Sequence, residues 1–324
     1  MGDSRSLAEL DESDLRRIVR SAISLKVFEE HPTGYVRHNA VSAALVTPSA
    51  HDAVGFFVQE FTPAALKLPE TLKRFPGSQK APEAAIAVAN GSTGNQDIFS
   101  AISHDAGRVE RFGNAMSFNT TILETSADDL VDNAPWSPAR STQCPCPKIL
   151  VDVGGSRGKL CEAFLRKYPG IDMAIVEDLP EVTKKNLESQ APEDVGDRIK
   201  YQSYDFFTDQ IVKNADVYVF RTVIHDWPDS YAIRILRNQI PALKTGARIL
   251  INDICIRPHE GFNSWISQTQ CALDLFVKMG LNAKERTRLD WEALLKEADT
   301  RFALEDIVTP AQSVLSIIQI VWRG

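Results

Sequence analysis

The second half of the chain alternates between short apolar runs and segments of helical periodicity. The apolar runs predict five strands, at residues 148–153, 173–177, 199–204, 217–221 and 248–253. The amphipathic segments predict helices at residues 159–168, 182–190, 229–243, 267–279 and 290–297. Two last apolar runs, at 303–308 and 313–322, predict a closing strand pair. Such alternation is typical of a doubly wound α/β fold, so we expect a mostly parallel seven-stranded sheet.

The first half of the chain is mostly helical in its pattern. Apolar residues recur at helical spacing from Leu15 to Ile23, with Asp11 or Ser13 as the N-terminal cap. Residues 26–38 predict two extended arms joined by a turn, and a helix followed by such a hairpin predicts a winged helix. Further helices are expected over residues 52–74 and 97–124, with prolines at 63, 69, 76 and 82 as punctuation.

A proline-rich stretch separates these two patterns. The segment NAPWSPARSTQCPCPK, at 133–148, holds four prolines, which disfavour helix and remove backbone donors. It predicts a helical, winged-helix-like domain at 1–132, a linker at 133–147 and an α/β domain at 148–324.

The segment VDVGGSRGKL places a glycine-rich turn between a predicted strand and a predicted helix. Gly154, Gly155 and Gly158 form G-G-x-x-G, which differs from the dinucleotide-binding G-x-G-x-x-G, and they let the backbone approach a ligand closely. Acidic residues end the next two strands, Asp178 and Asp205, the second followed by Phe206. Acids in such places bind ribose hydroxyls or an adenine amino group, although each could instead be a helix cap or a solvated loop residue.

At this point the sequence resembles the plant-type, class I S-adenosylmethionine-dependent O-methyltransferases, especially their fungal secondary-metabolism branch. The motifs VDVGGSRG, EDLPEV, YDFF, RTVIHDWPD and AKERT follow in the family's order. The resemblance implies the cofactor S-adenosyl-L-methionine, with the glycine turn around it and Asp178 on the ribose. It also implies that Asp205 and Phe206 flank the adenine, and that Arg221, where the family usually has lysine, meets the methionyl carboxylate.

His225 is the residue expected to remove the proton from the methyl acceptor. It is one of six histidines, and it directly follows the fourth predicted strand, within the family's H-D-W motif. Asp226 is expected to cap the following helix. The resemblance implies that Glu285 and Asp253 bracket the imidazole and fix its orientation, although Asp253 could instead be a simple cap.

Three residues are expected in the substrate pocket from the same resemblance. They are Met116, in RFGNAMS, together with Phe112 and Asn282. A methionine at helical spacing beside a phenylalanine is more often part of a core, so the alternative is that these residues only pack.

Composition and charge narrow the choice of partners. The net charge of −7 argues against nucleic acid or an anionic membrane as partner, and residues 1–60 show no basic excess. No apolar run reaches the ~18–20 residues that a membrane span needs. The polar, acidic N-terminus is not a signal peptide, so we expect a cytoplasmic protein with reduced thiols. Cys144 and Cys146 form a single pair without a second one, so no metal site is expected.

Three functions remain after these observations. The first is transfer of a methyl group to a phenolic or enolic hydroxyl of a small, aromatic or polyketide-like metabolite. The second is a pericyclic reaction or rearrangement, as in a relative that binds the same cofactor but does not transfer its methyl group. The third, a DNA-binding regulator that uses the winged helix, is disfavoured by charge. The resemblance also implies a homodimer, although the chain starts almost at the winged helix, where the family usually has a further helical subdomain.

Overall fold

The fold is seen in a computed structural model that describes residues 10–92, 94–122, 126–138, 140, 144–187, 193–257, 265–311 and 313–324. The chain forms two compact units. The first comprises the described residues up to Gln59 together with Asp105–Asn119, and the second comprises Glu60–His104 and the described residues from Thr120 onward. The described residues of the proline-rich stretch at 133–147 lie inside the second unit, and the domain division drawn from the sequence stays a prediction.

The first unit contains the predicted helix and hairpin. Helix α1 (Glu12–Ser24) is capped by Asp11, which accepts a hydrogen bond of 2.8 Å from the Ser13 amide. Strands β1 (Phe28–Glu30) and β2 (Val36–His38) pair antiparallel, as expected. Two short helices follow, α2 (Ala40–Leu45) and α3 (Pro48–Phe56). Phe56 of α3 packs edge-on against Phe112, with ring centroids 5.5 Å apart, which accounts for the spacing of apolar residues there.

Several further helices come before the sheet in the chain. A π-helical turn, Phe57–Phe61, leads into α4 (Thr62–Arg74). The next helices are α5 (Ala85–Ala89), α6 (Ile98–Ile102), α7 (Ala106–Ile122) and α8 (Ala127–Asp132). Residues 97–122 therefore form two helices rather than one, and residues 123–124 of that prediction lie outside the described part. Pro69 lies inside α4 and does not end it.

The second unit is built on a seven-stranded sheet, as the sequence predicts. Its strands are β3 (Ile149–Val153), β4 (Met173–Asp178), β5 (Ile199–Ser203), β6 (Val217–Arg221), β7 (Arg248–Asp253), β10 (Phe302–Val308) and β11 (Ser316–Trp322). The spatial order is β10-β11-β7-β6-β3-β4-β5. The five strands from β7 to β5 are parallel, and β11 joins β7 antiparallel.

Helices connect these strands. They are α9 (Lys159–Lys167), α10 (Pro180–Leu187), α11 (Asp229–Gln239), α12 (Trp265–Leu281) and α13 (Arg288–Ala298). Helix α11 ends earlier than expected, since Pro241 lies in a 3₁₀ turn at Ile240–Ala242. The last three residues predicted for α10, 188–190, lie outside the described part. A small parallel pair, β8 (Cys255–Ile256) and β9 (Arg286–Thr287), was not predicted.

Apolar residues cover both faces of the sheet, because successive side chains of a strand point to opposite faces. Tyr218 and Phe220 of β6 pack into one core cluster with Trp291 of α13. Val217 and Val219 pack into the other with Phe164 of α9. Each fully buried side chain of this kind contributes about 1.5–3 kcal/mol to stability. The result is a rigid sheet whose strands end at fixed positions. Among the described residues, no helix has the length and apolar character to cross a membrane.

Candidate active site

The glycine turn after β3 allows no side chains at its key positions. Gly154 and Gly158 have φ angles of +75° and +74°. A Cβ atom at Gly154 would stand 2.9 Å from Cγ2 of Val223, and one at Gly155 would stand 2.6 Å from a carboxylate oxygen of Asp152. The amides of Gly154 and Gly155 donate to the Glu177 carbonyl at 2.8 and 3.0 Å, which fixes the turn against the end of β4. The bare backbone of this turn faces the start of α9, where anions and polar ligands bind.

Asp178 is anchored at the same edge of the sheet. Its Oδ2 accepts a hydrogen bond of 2.8 Å from the Ser156 amide, and its Oδ1 accepts one of 2.8 Å from the Leu179 amide. The side chain is half-buried. A carboxylate oxygen has more than one lone pair, so both oxygens can still accept a hydroxyl.

Asp205 and Phe206 lie after β5, beside a group of aromatic rings. Asp205 is exposed, and its Oδ1 accepts a 2.8 Å hydrogen bond from the Phe207 amide. Phe206 packs edge-on against Phe207 and Trp227, with centroids 5.1 and 5.8 Å apart. These contacts hold the Phe206 ring in a fixed orientation beside the Asp205 carboxylate.

Buried charges surround Arg221, which ends β6. Burial lowers the pKa of the Arg221 guanidinium, while the carboxylates of Asp152 and Asp253 act in the opposite direction. Burial also raises the pKa of Asp152 to about 7, against the opposing charge of Arg221. The Arg221 cation is thus held at the strand ends, among carboxyl groups that partly balance its charge.

His225 lies in the 3₁₀ turn Ile224–Asp226, directly after β6. Its Nδ1 lies 2.8 Å from Oε1 of Glu285, whose side chain is 1% exposed. The amide of His225 donates a 3.0 Å hydrogen bond to Oδ2 of Asp253. The structure therefore brings these three residues together, but the hydrogen bond of Asp253 goes to the main chain of His225 rather than to its ring.

Asp226 is not the helix cap that the sequence suggested. The N-cap position of α11 is Pro228, which has no side chain to accept a hydrogen bond. Instead, Oδ1 of Asp226 lies 3.6 Å from Nε2 of His225. The imidazole thus has a hydrogen-bonded carboxylate at one nitrogen and a second carboxylate within ion-pair distance of the other.

The carboxylates determine the charge of the His225 ring. Burial lowers the pKa of His225, but the charges of Asp226, Glu285 and Asp253 outweigh it and raise that pKa to about 10. Burial raises the pKa of Asp253 to about 6, while the charge of His225 opposes the rise. The carboxylates around the ring therefore favour its protonated form.

Several residues of this site were not predicted from the sequence. The Glu285 amide donates to Oδ1 of Asp274 at 2.8 Å, so α12 helps to hold Glu285. Arg286 is a fully buried arginine that donates to the carbonyls of Ile224 and Trp227. Its place in AKERT, directly after Glu285, was the only signal in the sequence, and an arginine is expected to be exposed.

The three residues predicted for the substrate pocket occupy different surroundings. Phe112 and Met116 lie on α7 in the first unit, and Met116 is half-buried. Asn282 lies in the second unit with a φ of +57°, just after α12, and its Nδ2 donates to the Lys80 carbonyl at 2.8 Å. Phe112 therefore packs against Phe56, and Asn282 satisfies the main-chain carbonyl of Lys80. A substrate role for all three residues stays a prediction.

Comparison with known sequences identifies similar proteins. A sequence profile of the O-methyltransferase domain family matches residues 86–301. O-methyltransferase kk1A of Curvularia clavata is 33% identical over 99% of this chain and 73% of the relative. A chlorophenol O-methyltransferase of Trichoderma longibrachiatum is 34% identical over 98% of this chain and 68% of the relative.

Solved structures with the same fold include methyltransferases and other enzymes. The mitomycin 7-O-methyltransferase MmcR has a TM-score of 0.76 and 25% identity, over 98% of this chain and 86% of its own. LepI in complex with S-adenosylmethionine has a TM-score of 0.75 and 22% identity, over 99% and 79%. A pericyclic reaction enzyme has a TM-score of 0.76 and 21% identity, over 98% and 79%.

Proposed function

As this chain belongs to the S-adenosylmethionine-dependent O-methyltransferase family, we propose that it methylates an acidic phenolic or enolic hydroxyl, with His225 as the base. The observation that carries this proposal is the 2.8 Å contact between Nδ1 of His225 and Glu285. This contact leaves Nε2 as the nitrogen that exchanges a proton with the acceptor.

The residues at the strand ends suit the cofactor of this family. Contacts within the protein exclude Cβ atoms at Gly154 and Gly155, which fixes the turn that leads into the N-terminus of α9, a place where polar ligands bind. The anchored carboxylate of Asp178 suits a pair of ribose hydroxyls, and Phe206 offers an aromatic surface to adenine. The guanidinium of Arg221 suits a carboxylate, which it can bind bidentately. Gly158 opens α9 and supports the same turn.

The chemistry that the cofactor supplies when bound is a methyl group on a positively charged sulfur, which is already activated for transfer. The residues of this chain have to hold the acceptor oxygen in place and to accept the proton of its hydroxyl group. In the productive state the proton is on Nε2 of His225, and the acceptor is an oxyanion beside the imidazolium. That proton comes from the acceptor hydroxyl, stays on His225 while the acceptor reacts, and passes to water after the product has left.

The raised pKa of His225 supports an acceptor of this type. A ring with a pKa of about 10 holds a proton more tightly than an acidic phenol or enol does. Once its proton has moved to His225, the oxyanion of such an acceptor pairs with the imidazolium. A relative of similar sequence is named a chlorophenol O-methyltransferase, and chlorophenols are acidic phenols.

The test is transfer of radiolabelled methyl from the cofactor to a panel of chlorinated phenols and hydroxylated polyketide aromatics. We expect transfer by the wild type and a loss of about 10²–10⁴-fold in His225→Gln, the usual range for removal of an acid–base group. His104→Gln is the matched control, since His104 is exposed. Equal transfer by the wild type and His225→Gln would contradict the role of His225 as base.

A second candidate function is a pericyclic reaction without methyl transfer. The observation that favours it is the set of carboxylates around His225, which favours a protonated ring that can donate a hydrogen bond to a substrate carbonyl. The likeness to the pericyclic reaction enzyme concerns the fold alone. Product formation without transferred label, in the presence of the cofactor, would support this function over the first.

A further inference from the structure

Arg286 is a fully buried cation that packs against the turn Ile224–Asp226, which carries His225. Its side chain is 0% exposed. Nη1 donates to the Ile224 carbonyl at 3.2 Å, and Nη2 donates to the Trp227 carbonyl at 2.8 Å. Nε and Nη2 donate to Oδ1 of Asp229 at 3.0 and 2.8 Å, and the guanidinium lies 5.2 Å from the ring centroid of Trp291. The guanidinium thus donates four hydrogen bonds to three acceptors and lies against an aromatic ring.

The burial of such a charge requires compensation, which Asp229 provides. Asp229 also accepts from Nζ of Lys284 at 2.9 Å through its other oxygen, so its carboxylate is shared between two cations. An arginine buried in this way is costly to remove or to misplace, because its partners would be left without donors. The two carbonyls that it binds come from Ile224, just before His225, and from Trp227, two residues after it.

We propose that Arg286 is a positioning residue that fixes the turn Ile224–Asp226 so that the His225 ring meets Glu285. Glu285 and Arg286 are consecutive, so the residue that binds the ring and the residue that binds the turn move together. Pairing of Cys255 with Arg286 ties this segment to the chain just after Asp253, which holds the His225 amide. This proposal rests on the proposed role of His225.

Lysine cannot replace arginine in this arrangement. A lysine keeps the positive charge, but its ammonium lacks the planar fork that reaches two carbonyls and a carboxylate at once. Arg286→Lys therefore changes the geometry of the turn while it keeps the charge near His225. A displacement of about 1 Å at a reacting group costs on the order of 10²-fold in rate, so we expect label transfer to fall by about that factor.

Arg198 supplies a matched control. Its Nη1 donates to the Ile171 carbonyl at 3.0 Å, and its Nη2 donates to the Leu165 carbonyl at 3.1 Å. It precedes β5 and so lies at the end of the strands opposite to the catalytic turn. Arg198→Lys removes the same kind of contact and affects stability alone.

The experiment is a titration of His225 by NMR in protein with ¹³C-labelled histidine, with the signal assigned by its loss in His225→Gln. If the His225 ring moves away from the Glu285 carboxylate, its pKa falls. We therefore expect the titration midpoint of His225 to fall by at least one pH unit in Arg286→Lys and to stay unchanged in Arg198→Lys. Asp229→Asn removes the carboxylate that accepts from Nε and Nη2 of Arg286 and so loosens the guanidinium, which should give a smaller fall. This fall, together with reduced label transfer, supports the proposal.

An unchanged midpoint in folded Arg286→Lys would overturn the proposal, even if its activity were lost. If Arg286→Lys does not fold, Asp229→Asn takes its place, and an unchanged midpoint there overturns the proposal as well. The titration does not depend on methyl transfer. A wild type that transfers no label to any acceptor therefore contradicts the proposed function and leaves the test of Arg286 intact.

Discussion

At the scale of single residues, the charge of His225 is set by its three carboxylate neighbours. Asp226 lies on the same turn, Glu285 follows α12, and Asp253 ends β7. Asp274 of α12 places a further carboxyl group next to Glu285, whose amide donates to its Oδ1. Oδ1 of Asp253 and Oε2 of Glu285 are buried without a hydrogen-bond partner among the described residues. This negative surrounding favours a cation at the position of the ring.

The pH dependence of methyl transfer follows from this charge. The productive complex holds one proton between the acceptor and His225, so kcat/KM falls on the acid side as the acceptor oxygen becomes protonated. On the alkaline side it falls as His225 loses its proton near pH 10. We expect a bell-shaped profile whose acid limb moves with the acidity of the phenol that is used.

In Glu285→Gln the alkaline limb should move to lower pH, because the carboxylate that raises the pKa of His225 is gone. The measurement is kcat/KM for one chlorophenol from pH 5 to about pH 11, so that both limbs of the wild-type profile are covered. An alkaline limb that stays in place in this variant would contradict the assignment of that limb to His225.

Sequence patterns indicated the residues of this site but not the directions of their side chains. His225 and Glu285 are far apart in the chain, and only the family resemblance placed them together. Asp253 was expected at the imidazole, whereas its hydrogen bond goes to the His225 amide. Asp226 was expected as a cap but lies beside Nε2. Arg286 carried no sign of burial, since the direction of a long side chain depends on tertiary contacts that periodicity does not contain.

At the scale of elements, the turn between β3 and α9 depends on the absence of side chains. Gly158 has a φ of +74°, and a Cβ atom there would stand 2.9 Å from Cγ2 of Val176. We expect Gly158→Ala to weaken binding of S-adenosylhomocysteine at least tenfold, because the turn has to shift. Isothermal titration calorimetry measures this change.

Gly246→Ala separates backbone strain from steric contact. Gly246 has a φ of +83°, and a Cβ atom there would meet nothing within 4 Å. Both variants carry the strain of a positive φ, about 1–3 kcal/mol, but only Gly158→Ala has the clash. Equal cofactor affinity in the two variants would show that the contact with Val176 is unimportant.

Strands were more predictable than the short elements around them. Four of the five parallel strands are mostly apolar runs and β5 alternates apolar with polar residues, and the ends of all five were predicted to within one residue. Strands β8 and β9 have two residues each, too few for any periodicity, although they hold Arg286 in place. The end of α11 was missed because Pro241 outweighs an apolar pattern that continues beyond it.

At the scale of the whole molecule, buried carboxyl groups make stability depend on pH. Glu177 is fully buried, and its Oε2 accepts from Nε2 of Gln210 at 2.8 Å. Burial raises its pKa from 4.5 to about 7. A raised pKa contributes stability that is fully present below about pH 4.5 and is lost as the pH rises through about 7.

We therefore expect the free energy of unfolding to fall between pH 5 and pH 8, and Glu177→Gln to reduce that fall. The contribution of Glu177 is on the order of 3 kcal/mol, since one pKa unit corresponds to about 1.4 kcal/mol. Urea titrations at the two pH values measure it, with the exposed Glu297→Gln as control. A fall of equal size in Glu177→Gln and in the wild type would contradict the assignment.

Gly154 of the glycine turn lies against Val223, the residue just before the turn Ile224–Asp226 that carries His225. Cγ2 of Val223 fills the space that a Cβ atom of residue 154 would need, and Val223 directly precedes the turn that carries His225. The glycine turn proposed for the cofactor and the loop that carries His225 therefore share one boundary. Because Gly154 also has a φ of +75°, a smaller residue at 223 does not make a side chain at 154 acceptable, so we expect relatives of this chain to keep glycine at 154 whatever residue stands at 223.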